Sequence, residues 1–310
     1  MEAIAPGARG EGEKRMQLTI GSRESALAVA QSELVMAAIA AAHPDIGLRL
    51  VTMKTTGDRI LDRSLDKIGG KGLFVKELDA ALREGRVDLT VHSCKDLPME
   101  ETPGLPLAAF SRREDPRDAL VLPLGADEID WSRPVGCSSL RRKLQLQKLF
   151  PQARVEPVRG NVQTRLRKLD GGAFGALVLA AAGLKRLGLE WRAYRYFSPE
   201  EILPAAGQGI LAVQCREGMD TAFLDCVRDR EGTVCALTER AFVRALGGGC
   251  SSPTAAYAAV SGDTVRIEGL YVDEEGRLCR GSAEGPCAQG EVLARQLARE
   301  LKEGAVCQGK

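Results

Sequence analysis

Residues 133–166 read RPVGCSSLRRKLQLQKLFPQARVEPVRGNVQTRL, and the spacing of apolar residues and breakers in this stretch decides the fold class. Arg133 to Cys137 reads as a strand, Ser138 and Ser139 follow, and LRRKLQLQKLF (140–150) has helical periodicity. Arg141 and Arg142 therefore fall in a helix's first turn. Arg154 to Val158 repeats the pattern: Arg159 and Gly160 close the strand, Asn161 is an N-cap, and Arg165 lies one turn into the next helix. Gly175 to Ala182 (GALVLAAA) reads as another buried strand, leading to Lys185 and Arg186. Strands alternating with helices predict an α/β architecture. Helix N-termini leave N–H groups unpaired and arginine offers bidentate contacts, so the stretch also predicts one groove lined for several carboxylates or phosphates.

The charge distribution agrees. Between Arg133 and Arg195 there are 14 Lys and Arg against three acids, a net +11 in a chain whose total is +1. The excess runs across several elements, so the middle third calls for an anion rather than forming one solvated face. Nucleic acid is disfavoured as that anion, because aromatics are only 4% of the chain and the basic segment is interleaved with buried strands. No uninterrupted apolar run reaches the ~18 residues of a membrane span, and no charged-then-apolar signal opens the chain, so the expected address is the cytoplasm. Nine cysteines without a CxxC pair argue against a zinc cage or a disulfide framework, and free thiols are expected. Two histidines, His43 and His92, leave little for a metal site or a histidine triad.

At 310 residues the chain is too long for one ordinary core, and two or three domains are expected. Residues 1–15 show no periodicity and read as a disordered tail, with Met16 a second candidate for the start. Gln17 to Ile20 begins a strand, and Ser22 is the expected cap of a long helix with Arg23 and Ser25 in its first turn. A cation at a helix start asks for an anionic partner. Residues 57–72 form a polar, glycine-containing connection of the kind that makes lids, before the helix of 73–86. Val87 to His92 is a strand, and at its carboxyl end stand Ser93, Cys94, Lys95 and Asp96, where open α/β sheets collect ligands. Residues 111–117 are a candidate domain boundary, and ILPAAGQG (202–209) is a breaker-rich connection before another buried strand.

The last third opens with a helix over 233–246 that runs into LGGGCSSP (246–253). One glycine is enough to cap a helix; the others open a loop that presents the Cys250 thiol. Residues 255–278 alternate and carry two turn signals, SGD and DEEG, predicting a three-stranded antiparallel meander, and 291–302 closes the chain as a helix.

Several stretches together resemble one family. GSRESALA, the KGLFVKEL run, HSCKDLP, SSLRR, RGNVQTRL, LAAAGLKRLGL, PAAGQGILAVQCR and ERAFVRALGGGC occur in order, and the likeness covers residues 16–310. They are similar to hydroxymethylbilane synthase, also called porphobilinogen deaminase. The resemblance implies three α/β domains. Two are doubly wound and like type II periplasmic binding proteins, at 16–111 plus 209–227 and at 112–208; the third is a small α+β domain at 232–310 with a three-stranded antiparallel sheet. It further implies a dipyrromethane cofactor held as a thioether by Cys250, and Asp96 as the catalytic carboxylate. Arg23, Ser25, Ser93, Lys95, Ser139, Arg141, Arg142, Arg159, Asn161, Arg165 and Arg186 would bind the acetate and propionate groups of cofactor and substrate. Lys71 and Phe74 would belong to the lid and its base, and Gln208 would sit near the cofactor pyrroles. The implied protein is a monomer that takes porphobilinogen and needs no metal, nucleic acid or membrane. The chain departs from the family's usual pattern at Ser252 and Thr254, where aliphatic residues are common, at Cys94 in place of methionine, and at Ala30. From the residues alone, an anion-binding module of the solute-binding type remains the alternative.

Overall fold

The computed structural model describes residues 16–59, 75–249, 252–273 and 275–304. Cys250, Lys71, Phe74, the tail of 1–15 and most of the 57–72 connection lie outside the described residues.

Three sheets organise the chain. In the first, β1 (Gln17–Arg23) passes through α1 (Ala26–Ala42) to β2 (Gly47–Met53), and the chain continues through α2 (Thr56–Arg59) and α3 (Lys76–Arg83) to β3 (Leu89–Ser93) and β4 (Leu107–Phe110). The chain then leaves this sheet. It builds β5 (Asp118–Val121), β6 (Val135–Gly136), α4 (Leu140–Leu149), β7 (Val155–Glu156), α5 (Val162–Asp170), β8 (Ala176–Ala180), α6 (Ala181–Arg186) and β9 (Ala193–Phe197). It returns as β10 (Leu211–Cys215), which inserts between β3 and β4.

The two five-stranded sheets follow one plan, with orders β2-β1-β3-β10-β4 and β7-β6-β8-β5-β9. In each, three parallel strands meet one antiparallel strand in the fourth place. Those fourth strands, β10 and β5, are the ones that follow the two crossings between the units. The sheets therefore exchange strands at equivalent positions, and residues 111–117 and 198–210 run side by side between them; Glu114 N donates to Gly209 O at 3.1 Å. The sequence reading missed β9. Its AYRYF pattern carries Arg195 between an exposed Tyr194 and a half-buried Tyr196, an edge strand with one apolar residue, Phe197, fully committed to the core.

Burial follows the alternation of each strand. Leu18, Ile20, Leu89, Val91, Leu211 and Val213 pack against Val35 and Ile39 of α1. In the second unit, Leu120, Val135 and Val178 face Leu146 on one side, while Val121, Leu177 and Leu179 face Leu166 and Leu169 on the other.

The third unit is α7 (Arg230–Ala245), the antiparallel sheet β11 (Ala255–Ser261), β12 (Thr264–Val272) and β13 (Leu278–Pro286), and α8 (Gly290–Lys302). The SGD signal is a two-residue hairpin closed by the Ser261–Thr264 pair, with Gly262 at φ +60°. The meander extends beyond the expected 278 because β13 is a half-exposed strand whose LCRGSAEGP sequence carries almost no apolar periodicity. The core of this unit is continuous with the floor of the first: Phe242, Ala236 and Ile267 share a cluster with Cys94, Leu97 and Met99. The expectation of free thiols holds for Cys94, Cys137, Cys215, Cys226, Cys235 and Cys287, but Cys279 is disulfide-bonded. Short-range spacing could not reveal that bond, because pairing of distant cysteines depends on where the fold brings their Cα atoms.

Candidate active site

β1 and β3 are parallel neighbours, so their carboxyl ends open at the same edge of the first sheet. The β1 ladder to β2 continues through Arg23, paired with Met53. The helix therefore starts later than Ser22 would place it: Ser25 is the cap, accepting from Ala28 N at 3.3 Å. Arg23 thus ends a strand and does not open a helix. Beside it the fully buried His92 is lowered to about 4, by burial and then by the charge of Arg23, so this histidine stays neutral.

β3 ends at Ser93, whose Oγ takes a 2.8 Å bond from the Gln31 amide, and one 3-10 turn, Cys94–Asp96, follows. Cys94 points inward. Burial pushes its thiol up to about 11, so it is inert packing and not a second reactive sulfur. The turn sends the next two residues the other way, leaving Lys95 half-buried and Asp96 exposed.

The second unit supplies the opposite wall. Ser139 caps α4 through Arg142 N at 3.4 Å, and Asn161 caps α5 through Thr164 N at 2.9 Å. Arg165 Nε is held by Gly160 O at 2.8 Å, and Arg186 on α6 donates to Gly209 O at 2.6 Å. Burial lowers Arg165 to about 10, with Arg142 and Arg159 acting in the same sense, and burial lowers Arg186 to about 10 against the pull of Glu114. Among the described residues neither Arg165 nor Arg186 makes an ion pair. The walls meet electrostatically at Asp96, whose carboxylate acts on Lys95, Arg142 and Arg165.

Arg141 and Arg142 behave differently from the outward pair that the sequence suggested. Both are buried and both grip Asp118, at 2.8 and 2.7 Å. Arg141 also donates to Leu203 O at 2.6 Å, and Arg142 to Val178 O at 3.1 Å. Gln208, fully buried, donates its amide to Asp118 at 2.8 Å and to Pro116 O at 2.6 Å, which turns its Oε1 toward Lys95 Nζ at 3.2 Å. Burial opposes the charge of Asp118, but Arg141 and Arg142 hold its carboxyl well below the usual range. Sequence reading missed Asp118; an acid opening an apolar strand was its only signal.

It also missed Arg113 and Glu239. Glu239 of α7 has no exposure and accepts from Arg113, Gly207 N and Ala258 N, each at 2.6 Å. On the same helix, Arg240 and Arg244 donate to the carbonyl of Met99, just beyond Asp96. The helix that leads to Cys250 is thus bonded to the crossing segments and to the Asp96 loop.

Next to Cys250, Gly247 takes the helix-terminating positive φ of +68° while Gly248 N returns to Val243 O at 3.0 Å. Ser252 Oγ accepts from Gly249 N at 3.1 Å and lies 2.5 Å from Thr254 Oγ1. Ser252 and Thr254 thus close a polar turn beside Gly249.

Two mixed sheets joined by a double crossing, followed by an antiparallel third unit, define a three-unit α/β protein, and the cations around the exposed Asp96 suit an anionic organic ligand. Comparison with known proteins is more specific. Residues 18–223 match the family model described as "Porphobilinogen deaminase, dipyromethane cofactor binding domain", and 233–303 match "Porphobilinogen deaminase, C-terminal domain". A porphobilinogen deaminase of Acetivibrio thermocellus is 54% identical over 290 residues, covering 94% of this chain and 99% of that protein. One from Sorangium cellulosum is 48% identical over 297 residues, covering 93% and 99%. The chain belongs to the porphobilinogen deaminase family. Among solved structures, the effector-binding domain of a BenM variant is similar at 15% identity and a TM-score of 0.38, covering 68% of this chain and 90% of that one. Among the described residues no helix is long and apolar enough to cross a membrane.

Proposed function

We propose that this chain is a hydroxymethylbilane synthase: it joins four porphobilinogen molecules head to tail, loses ammonia at each coupling, and releases the linear tetrapyrrole by addition of water. The observation that carries this reading is the exposed carboxylate of Asp96 set among Lys95, Arg142 and Arg165, cations contributed by both units.

The cleft fits a dipyrromethane. Arg165 and Arg186 are half-buried, their charged forms are disfavoured by desolvation, and no described protein carboxylate pairs with them. A group bearing several acetates and propionates relieves that cost. Arg165, Arg186, Arg159 and Arg23 would hold it, with Cys250 as its attachment. When bound, it supplies the pyrrole carbon to which the first substrate is joined.

The chain's own residues then have separable tasks. Loss of ammonia from the substrate's aminomethyl group places positive charge on its pyrrole nitrogen. Asp96 stabilises that charge, and takes and returns protons, among the cations of both units. Burial brings Lys95 down to about 8, with Arg142 and Arg141 acting in the same direction and Asp96 and Asp118 against them. It is therefore charged below about pH 8 and holds a substrate carboxylate there. Cys250 captures the electrophile without a histidine base, because a thiol of ordinary pKa near 8.5 is partly ionised at neutrality. The reading includes a monomer working in the cytoplasm without metal, membrane or nucleic acid, with the domain limits given above.

Incubation of purified protein with porphobilinogen, followed by ammonia release and intact mass, tests it. We expect a covalent mass excess of two pyrrole units that Cys250→Ala abolishes together with turnover. An active preparation with unmodified mass rejects the proposal.

A further inference from the structure

We propose that Asp118 is a positioning residue of the site, which through the Gln208 amide fixes the Lys95 ammonium beside Asp96 and holds the two cleft walls at a set separation. The proposal rests on the reading of Lys95 as a carboxylate holder given above.

The geometry is a continuous strut. Asp118 opens β5 in the second unit; its Oδ1 accepts from Gln208 at 2.8 Å and from Arg142 at 2.7 Å, and its Oδ2 accepts from Arg141 at 2.8 Å. Gln208 lies on the returning crossing. Both of its amide hydrogens are spoken for by acceptors of the second unit, Asp118 and Pro116 O at 2.6 Å. That settles which end of the amide is which, and Oε1 alone is left to face Lys95 Nζ, 3.2 Å away in the first unit. Main-chain anchors stiffen the strut: Arg113 donates to Gln208 O at 3.3 Å, and Gln208 N to Ala205 O at 2.9 Å.

Charge gives the strut its second role. Lys95 faces Asp96 from its own turn, Arg141 and Arg142 from α4, and Asp118 from β5. Asp118 is the acid that separates two buried guanidiniums from the ammonium. Its removal leaves three cations in one low-dielectric region, and the most easily deprotonated of them, Lys95, gives up its proton first. A residue with a merely structural part would lower activity at every pH; this one sets the pH above which Lys95 stops holding a carboxylate.

The experiment follows the Lys95 titration directly in the full-length protein, by the pH dependence of its acetylation with acetic anhydride read by peptide mass spectrometry. The pH profile of kcat/KM of the holoenzyme is measured beside it. In the parent the midpoint and the alkaline limb are expected near 8. In Asp118→Asn both move down by about one unit, and Asp118→Glu restores them at least in part. Gln208→Met, which keeps length and neutrality but removes the link, also moves them down, and it decides the matter should Asp118→Asn fail to fold. An unchanged Lys95 midpoint in a folded variant, with activity lowered equally across pH, overturns the proposal. Absence of porphobilinogen turnover in the parent would reject the functional reading instead and leave the Lys95 titration to be judged by itself.

Discussion

Asp96 and the glycines before Cys250 show how much single residues carry. Asp96 is exposed and makes no packing contact that holds the fold, so Asp96→Ala should keep stability and lower turnover by a factor on the order of 10²–10⁴, the usual range for a positioned acid–base group. A urea midpoint equal to the parent's, with near-normal turnover, would remove Asp96 from its role. The glycines are not equivalent. A Cβ on Gly248 would meet Ser252 Oγ at 2.8 Å and Thr254 Oγ1 at 3.0 Å, whereas one on Gly249 meets nothing within 4 Å. Gly248→Ala should therefore disturb the loop and impair cofactor attachment. Gly249→Ala leaves the loop intact and stiffens the backbone, so it should slow elongation while attachment proceeds. Mass spectrometry of the trapped intermediates separates the two, and a reversed order refutes this division.

At the scale of elements, the site is built by strand ends and helix caps. Ser139 and Asn161 each satisfy an N-terminal N–H, and the following turns carry Arg142 inward to Asp118 and Arg165 back to Gly160 O. Asn161→Ala should cost about 1 kcal/mol of stability and raise KM by freeing the turn that carries Arg165, measured by urea unfolding and steady-state kinetics. The Asn161 cap was legible because a polar residue before a periodic apolar run has a local physical meaning. Ser22 misled for an equally local reason: it also satisfies the cap rule, but pairing with β2 carried the strand two residues further. Propensity and capping compete with ladder hydrogen bonds, and only the partner strand decides the outcome.

For the whole molecule, α7 is the connector. Glu239 bonds Arg113 of the first crossing, Gly207 of the second and Ala258 of the third sheet from one buried carboxylate. Burial pushes that carboxyl up, against the pull of Arg113 and of the Gly207 and Ala258 N–H groups. Glu239→Ala leaves the half-buried Arg113 guanidinium without its carboxylate and two backbone donors without an acceptor, and it should cost about 3 kcal/mol. Unfolding should also lose cooperativity as the third unit separates, seen as a second urea transition. A single transition with the parent's midpoint would contradict the connector role.

Much of this protein was determined in its sequence by itself. The alternation of strand and helix, the +11 segment, the acid at the end of Val87 to His92 and the glycine loop before Cys250 are local or additive features, and local physics reads them. The tertiary structure decided what depends on distant partners. The strand exchange places β5 and β10 in equivalent positions, and the second sheet's edge is β9. Arg141 and Arg142 turn to Asp118, whereas Arg165 and Arg186 bond only backbone carbonyls and make no ion pair among the described residues. Whether a buried cation is a binding group or half of an internal pair is set by which carboxylate the fold brings within about 3 Å, and residues 23 or 24 positions apart carry no periodic signal of that meeting.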